Sequence, residues 1–182
     1  LQAKAGYLSP TFWSVRAVFY LAVWAIISSL YYRWSTKQDR DGDVAWTHKM
    51  QQWAPLCMVL FAFTQSFAAI DWMMTLQPKW FSTMYPVYFW ACTMCGFFSL
   101  IILLARYLQR TGHIKQSITT EHYHDLGKFL FAFGVVFWAY IGFSQYMLIW
   151  YANIPVETGW YITRQLGGWA PISLLLLFGH FF

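Results

Sequence analysis

Charged residues are scarce in this chain. Only 10% of its 182 residues are Asp, Glu, Lys or Arg, whereas a soluble domain contains about 25%. Hydrophobic residues account for 59% of the chain and aromatic residues for 23%. This composition excludes an ordinary water-soluble domain and favours a protein whose surface contacts lipid.

Cysteine is equally scarce. Cys57, Cys92 and Cys95 all fall within apolar stretches, which excludes the disulfide framework of a secreted domain and a soluble zinc finger. Cys92 and Cys95 have the spacing of a redox motif, but no charged residue or further cysteine accompanies them. We interpret them as small residues that pack between helices.

The sequence also lacks a basic segment followed by a short apolar run and a small-residue cleavage site, so it contains no recognisable signal peptide. It begins with Leu1 instead of Met, and its last apolar run is interrupted only by His180 before the sequence stops. We expect the chain to be an internal piece of a longer protein.

Long hydrophobic runs are abundant, in contrast. A helix needs about 20 apolar residues to cross about 30 Å of hydrocarbon, and it satisfies its backbone hydrogen bonds internally. The sequence therefore predicts an all-α integral membrane helical bundle, with residues 1–182 forming one transmembrane domain. Its expected spans, the last of them truncated, are residues 12–32, 53–76, 85–105, 129–151 and 169–182.

Basic residues predict the orientation of these spans. Eight of the twelve lie in two connecting segments, residues 33–52 and 106–128. The positive-inside rule places both segments in the cytoplasm. The basic residues do not form a stripe with stacking aromatics, so we expect the lipid bilayer and no nucleic acid as a partner.

Asp71 is the one acidic residue within an apolar run. An ionisable group in a membrane is costly, so a functional role is the default hypothesis. We consider Asp71 a candidate proton-relay residue. The alternative is a structural role, in which it hydrogen-bonds a neighbouring helix near the outer interface.

His124 and Asp125 form a second candidate proton-relay site, at the cytoplasmic end of the fourth span. Histidines in such segments are more often plain solvated residues. Only His180 lies within a span, so this piece lacks the pair of axial ligands that a haem would need. We expect no metal site and no cofactor bound by this chain.

Polar residues in the fourth span suggest a pocket. Gln145, Ser144 and Tyr140 are candidates for lining a quinone head-group site or a water chain, and interhelical hydrogen bonding is the alternative. Beyond this span, Glu157 and Arg164 belong to an expected outer loop. We consider that loop a candidate docking site for a partner.

Two stretches carry a resemblance to a known family. One is Asp71-Trp72-Met73-Met74-Thr75-Leu76 followed by Trp80-Phe81-Ser82-Thr83-Met84-Tyr85. The other runs from His124-Asp125-Leu126-Gly127-Lys128-Phe129 through Phe143-Ser144-Gln145-Tyr146 to Asn153-Ile154-Pro155. Together they resemble the ActF-type membrane subunit of alternative complex III, a bacterial quinol:cytochrome c or cupredoxin oxidoreductase.

The resemblance implies an NrfD-like, polysulfide-reductase-like bundle of about ten helices that carries no redox cofactor of its own. It also implies a sister NrfD-like membrane subunit as partner, with periplasmic iron-sulfur and multihaem cytochrome c subunits holding the clusters and haem c. Menaquinol or another quinol would be oxidised by the complex, with proton translocation as a further expected role.

Three other classes stay open at this stage. The chain could be a purely structural scaffold subunit of such a complex. A secondary transporter would require broken helices and an ion pair near the membrane midplane. A haem-bearing cytochrome b would require further histidines outside this piece.

Overall fold

A computed structural model describes residues 6–114 and 117–181 of the chain. All regular secondary structure in these residues is helical. The chain divides into two compact units, residues 1–78 and 79–182, which are described separately. The prediction of an all-α fold is confirmed.

The first unit is a helical hairpin. Helix α1 spans Pro10–Asp41, helix α2 spans Ala45–Trp72, and a single 3₁₀ turn, Met74–Leu76, follows. Pro10 suits the first position of α1, where its missing N–H is not needed. Gly42 ends α1 in the left-handed conformation, with φ of 67°, and its N–H donates to the carbonyl oxygen of Gln38 at 2.8 Å. The chain therefore reverses within three residues.

This hairpin corrects one expectation. The segment 33–52, expected to be a connecting loop, is almost entirely helical, because α1 continues to Asp41 and α2 begins at Ala45. Pro55 consequently lies inside α2 and not at its start. The two helices pack through buried small side chains on α2, including Ala68 and Ala69.

The second unit contains two long helical segments and two short ones. Helix α3 spans Tyr85–Arg110. Helix α4, Thr120–Phe129, continues through a π-helical segment, Leu130–Phe137, into α5, Trp138–Ala152. Helix α6, Pro155–Gln165, and helix α7, Trp169–Gly179, complete the unit. The expected loops 106–128 and 152–168 are thus partly helical.

The π-helical segment packs closely against α3. A Cβ placed on Gly134 would lie 3.1 Å from both Cα and Cβ of Cys95, so only glycine permits this approach without a shift of the backbone. Trp90 on α3 meets the rings of Phe133 and Phe137 edge-on, each with ring centroids 5.8 Å apart. Cys95 therefore lies at a close contact between helices.

Four helices in the described residues are long and apolar enough to cross a membrane: Pro10–Asp41, Ala45–Leu76, Tyr85–Arg110 and Thr120–Ala152. They contain the four complete spans predicted from the sequence. The expected fifth span, 169–182, is represented by the 11-residue apolar helix α7, and Phe182 lies outside the described residues.

Candidate functional site

Asp71 lies at the centre of a polar cluster buried between α1 and α2. Its side chain is 1% exposed. Arg16 donates from Nε to one carboxylate oxygen at 2.7 Å and from NH2 to the other at 3.0 Å. The hydroxyl of Tyr20 donates to the first of these oxygens at 2.9 Å. We call Arg16, Tyr20 and Asp71 the carboxylate clamp.

The remaining surroundings of Arg16 hold its side chain in one position. NH1 donates to the carbonyl oxygen of Tyr7 at 3.1 Å. The guanidinium carbon lies 3.9 Å from the ring centroid of Tyr7 and 4.4 Å from that of Phe12. Both rings therefore stabilise the cation by cation–π attraction while shielding it from solvent.

Backbone groups next to the clamp are also engaged. The carbonyl oxygen of Asp71 accepts from the indole N–H of Trp13 at 3.1 Å and from the hydroxyl of Thr75. Trp72 packs edge-on against the rings of Tyr20 and Trp24. One turn of α2 is thus fixed to α1 through both its side chains and its backbone.

The hydrogen bonds of the carboxylate clamp favour the ionised form of Asp71. A carboxylate that accepts two hydrogen bonds from a guanidinium and a third from a phenol is well suited to remain ionised. Such a pair is costly to desolvate, and removing one partner strands the other charge. The clamp therefore favours the structural interpretation of Asp71 over a proton-relay role, which stays a hypothesis.

Sequence reasoning did not single out Arg16. Arg16 can be identified from its distance in sequence to the turn of the hairpin, which nearly equals that of Asp71. Arg16 precedes Gly42 by 26 residues, and Asp71 follows Val44 by 27 residues. Two antiparallel helices joined by a tight turn bring such positions to the same depth. Opposite charges at equal depth in adjacent spans then predict an ion pair.

The second candidate relay site lies on a helix and not in a loop. His124 and Asp125 are both exposed on α4. Asp125 pairs with Lys128 at 3.1 Å, and both side chains are more than half exposed. An exposed pair of this kind contributes little to stability. His124 and Asp125 belong to the second unit and Asp71 to the first.

The three residues proposed to line a pocket on the fourth span do not share one face. Gln145 is buried on α5 together with Ile141 and Ile149. Tyr140 is 64% exposed, and Ser144 is half-buried. Within the described chain, Nε2 of Gln145 has no hydrogen-bond partner. Gln145 is therefore the member of this set that has a buried donor without an acceptor, and a polar neighbour would satisfy it.

Glu157 and Arg164 lie on helix α6, which corrects the expectation of a loop. The ring of Trp160 stacks on Trp80 at a centroid distance of 4.2 Å, and the indole N–H of Trp80 donates to the carbonyl oxygen of Glu157 at 3.2 Å. The guanidinium of Arg164 also packs on Trp160, with its carbon 3.2 Å from the ring centroid. Burial lowers the pKa of Arg164 from its ordinary value.

A cleft opens between α5 and α6, with a volume of about 170 Å³. We call it the α5–α6 cleft. Tyr146 and Tyr161 meet edge-on at its wall, with ring centroids 5.0 Å apart. Burial is the main cause that raises the pKa of Tyr161 to about 12. No sequence signal identified this cleft, because it depends on α6, which was expected to be a loop.

The π-helical segment and its neighbour Trp138 contact the side chain of His180. Nε2 of His180 lies 2.7 Å from the carbonyl oxygen of Gly134, so the imidazole N–H donates to this backbone group. The His180 ring also stacks on Trp138 at a centroid distance of 3.8 Å. π-Helical segments occur often at functional sites. In the described residues, no group of three His, Cys, Asp or Glu side chains is placed to hold a metal.

Four helices of membrane-crossing length, two of them joined by a buried ion pair, fit the class of helical membrane proteins. Comparison with known proteins does not narrow this class: no protein-family model matches the chain, and no curated protein matches it.

Proposed function

We propose that this chain is a membrane subunit of a quinol-oxidising electron-transfer complex of the alternative complex III type, in a bacterial inner membrane. The supporting observation concerns the first stretch of the resemblance, which lies between Asp71 and Tyr85. Its residues Asp71 and Trp72 belong to the carboxylate clamp and its surroundings, and Trp80 and Tyr85 pack against Trp160. Four residues of this stretch are thus engaged in packing or in hydrogen bonds within their own unit.

In this proposal the chain contributes helices and not redox centres. Sister NrfD-like, iron-sulfur and multihaem cytochrome c subunits hold the clusters and haem c, and quinol is oxidised within the assembled complex. Large apolar side chains remain exposed along the helices, including Leu100, Leu103 and Phe131. Lipid or neighbouring membrane subunits would cover such surfaces. The basic segments 33–52 and 106–128 would face the cytoplasm.

The test is purification of the tagged full-length protein from native membranes in mild detergent. The preparation would be assayed for haem absorbance, iron-sulfur clusters and quinol-dependent reduction of an electron acceptor. Co-purification of haem and iron-sulfur subunits with activity is the expected result. A colourless, inactive protein without partners would refute the proposal.

Within such a complex, the carboxylate clamp favours a scaffold role for the first unit. Asp71 accepts three hydrogen bonds from Arg16 and Tyr20, so its charge is already matched inside the hairpin. A proton relay would require this carboxylate to exchange protons during turnover. The scaffold interpretation requires only that the ion pair persist.

The paired change Arg16→Gln with Asp71→Asn separates the two roles. It removes both charges, so neither is left stranded in the hairpin. If the assembled double variant keeps wild-type quinol turnover and proton translocation, Asp71 is a scaffold residue. Loss of proton translocation with unchanged assembly would establish a relay. Asp39→Asn, which removes an exposed carboxylate from α1, serves as the control.

A further inference from the structure

The α5–α6 cleft has the lining of a binding site for a small neutral ligand. None of its lining residues is Asp, Glu, Lys, Arg or His. Five of them carry uncharged polar groups: Tyr146, Asn153, Thr158, Tyr161 and Gln165. In the described part of the chain, the only side-chain hydrogen bond among these five is a long one, 3.4 Å, from Thr158 to the carbonyl oxygen of Pro155. Their hydrogen-bonding capacity is available to a ligand.

The polar groups supply both donors and acceptors. Carboxamides of Asn153 and Gln165 provide each kind, and phenol hydroxyls do the same. Because burial raises the pKa of Tyr161 to about 12, its hydroxyl keeps its proton at all physiological pH values. A ligand with carbonyl or hydroxyl oxygens matches these groups, and none of the residues that line the cleft carries a charge.

The shape of the cleft favours a ring. Trp150 and Ile162 provide apolar walls beside the edge-on pair of Tyr146 and Tyr161. Its volume of about 170 Å³ is slightly larger than the engineered cavity of about 150 Å³ that accommodates benzene. One substituted six-membered ring therefore fits, and aromatic walls stack well on a planar ring.

We propose that the α5–α6 cleft binds a neutral single ring that carries hydrogen-bonding oxygens, the chemistry of a quinol head group. The ring-binding part stands on the lining of the cleft, and the assignment to quinol rests on the proposed function. The ring lies against Trp150, and its oxygens bond to Asn153 and Tyr161.

The probe is duroquinone, a tetramethylated single-ring quinone, added to the full-length protein in detergent. Bound quinone quenches tryptophan fluorescence, and a site gives saturable quenching on top of the linear quenching caused by partition into micelles. Trp150→Phe should remove much of the saturable component, because Trp150 lines the cleft.

Two variants and a matched control locate the site. Tyr161→Phe removes one hydroxyl and keeps the ring. Asn153→Gly removes the amide at a backbone position with φ of 49°, which glycine adopts without strain. Each should weaken duroquinone binding about fivefold, the usual effect of one hydrogen bond. Tyr107→Phe removes an exposed hydroxyl from α3, outside the cleft lining, and should leave the affinity unchanged.

Linear quenching alone, or equal weakening by Tyr107→Phe and Tyr161→Phe, would overturn the inference. Failure here is distinct from failure of the proposed function. A complex that purifies with its haem and iron-sulfur subunits, but whose subunit shows no saturable quenching, refutes only the cleft. Saturable quenching in a protein without such partners refutes only the complex.

Discussion

Arg16 and Asp71 lie 55 residues apart in sequence and form the ion pair that joins the two helices of the first unit, with Nε and one carboxylate oxygen 2.7 Å apart. The pair is well shielded, since the side chain of Arg16 is 13% exposed and that of Asp71 1% exposed. Its isolation from solvent makes either charge expensive to leave alone.

We predict that Asp71→Asn and Arg16→Met each lower the free energy of unfolding by about 3 kcal/mol, because each strands a buried charge. The double variant should lose much less than the sum of the two single losses. Unfolding in detergent, followed by circular dichroism, measures all three. Additive losses would show that the two side chains do not interact.

Tyr20→Phe tests the third member of the clamp. The change removes the hydrogen bond to Asp71 and keeps the ring contact with Trp72. We expect a loss of about 1.5–3 kcal/mol, the range for a hydrogen bond to a charged acceptor. Tyr32→Phe, on the same helix but 71% exposed, should change stability little. The same loss in both variants would contradict a specific role for Tyr20.

Two glycines near the α3 contact are expected to respond in opposite ways to alanine. In Gly134→Ala the new methyl group would lie 3.1 Å from the backbone of Cys95, so we expect a loss of about 1–3 kcal/mol from overpacking. In Gly96→Ala nothing lies within 4 Å of the new group, and alanine favours a helix by up to about 1 kcal/mol. Thermal unfolding of both variants decides whether the signs differ.

Trp80 is expected to hold helix α6 in place. It is 3% exposed, stacks on Trp160 and donates to the carbonyl oxygen of Glu157. Trp80→Leu removes the stack and the hydrogen bond, so amide hydrogen exchange in Pro155–Gln165 should accelerate at least tenfold. Trp169→Phe, at a position 60% exposed, is the control. Unchanged exchange in Trp80→Leu would mean that other contacts hold α6.

Alkaline pH should weaken the second unit through Tyr161. Its pKa rises from 10.0 to about 12, chiefly because of burial, so the folded chain keeps a proton that the unfolded chain loses. The resulting stability is fully present below pH 10 and is lost as the pH rises towards 12. Tyr161→Phe should flatten this part of the stability–pH curve. Equal slopes in wild type and Tyr161→Phe would rule out this contribution.

Hydropathy sufficed to predict the four long helices, because each contains a predominantly apolar run of the required length. Asp71 was identifiable for the same reason, as the exception within such a run. Arg16 lies just as deep, but a basic residue near the end of a span also has a simpler interpretation as a topology signal. Counting residues from the tight turn at Gly42 would have paired the two.

Other parts of the candidate sites were beyond sequence reasoning for physical reasons. Helix α6 is short and mixes polar with apolar residues, so it does not stand out from a loop by hydropathy. The cleft it forms with α5 depends on where the two helices meet. The contact between His180 and Gly134 depends on a π-helical segment, and a run of apolar residues such as Leu130–Phe137 gives no local indication of π geometry.

The number of residues in the π-helical segment sets the direction in which the faces of helix α5 point. Each residue of an α-helix turns its successors by about 100°, so a wider turn shifts the phase of everything that follows it. The buried stripe of Ile141, Gln145 and Ile149 is therefore oriented by the number of residues between Leu130 and Phe137 as well as by their identity. Deleting one of these residues would rotate that stripe away from its neighbours, although every side chain in it would be unchanged.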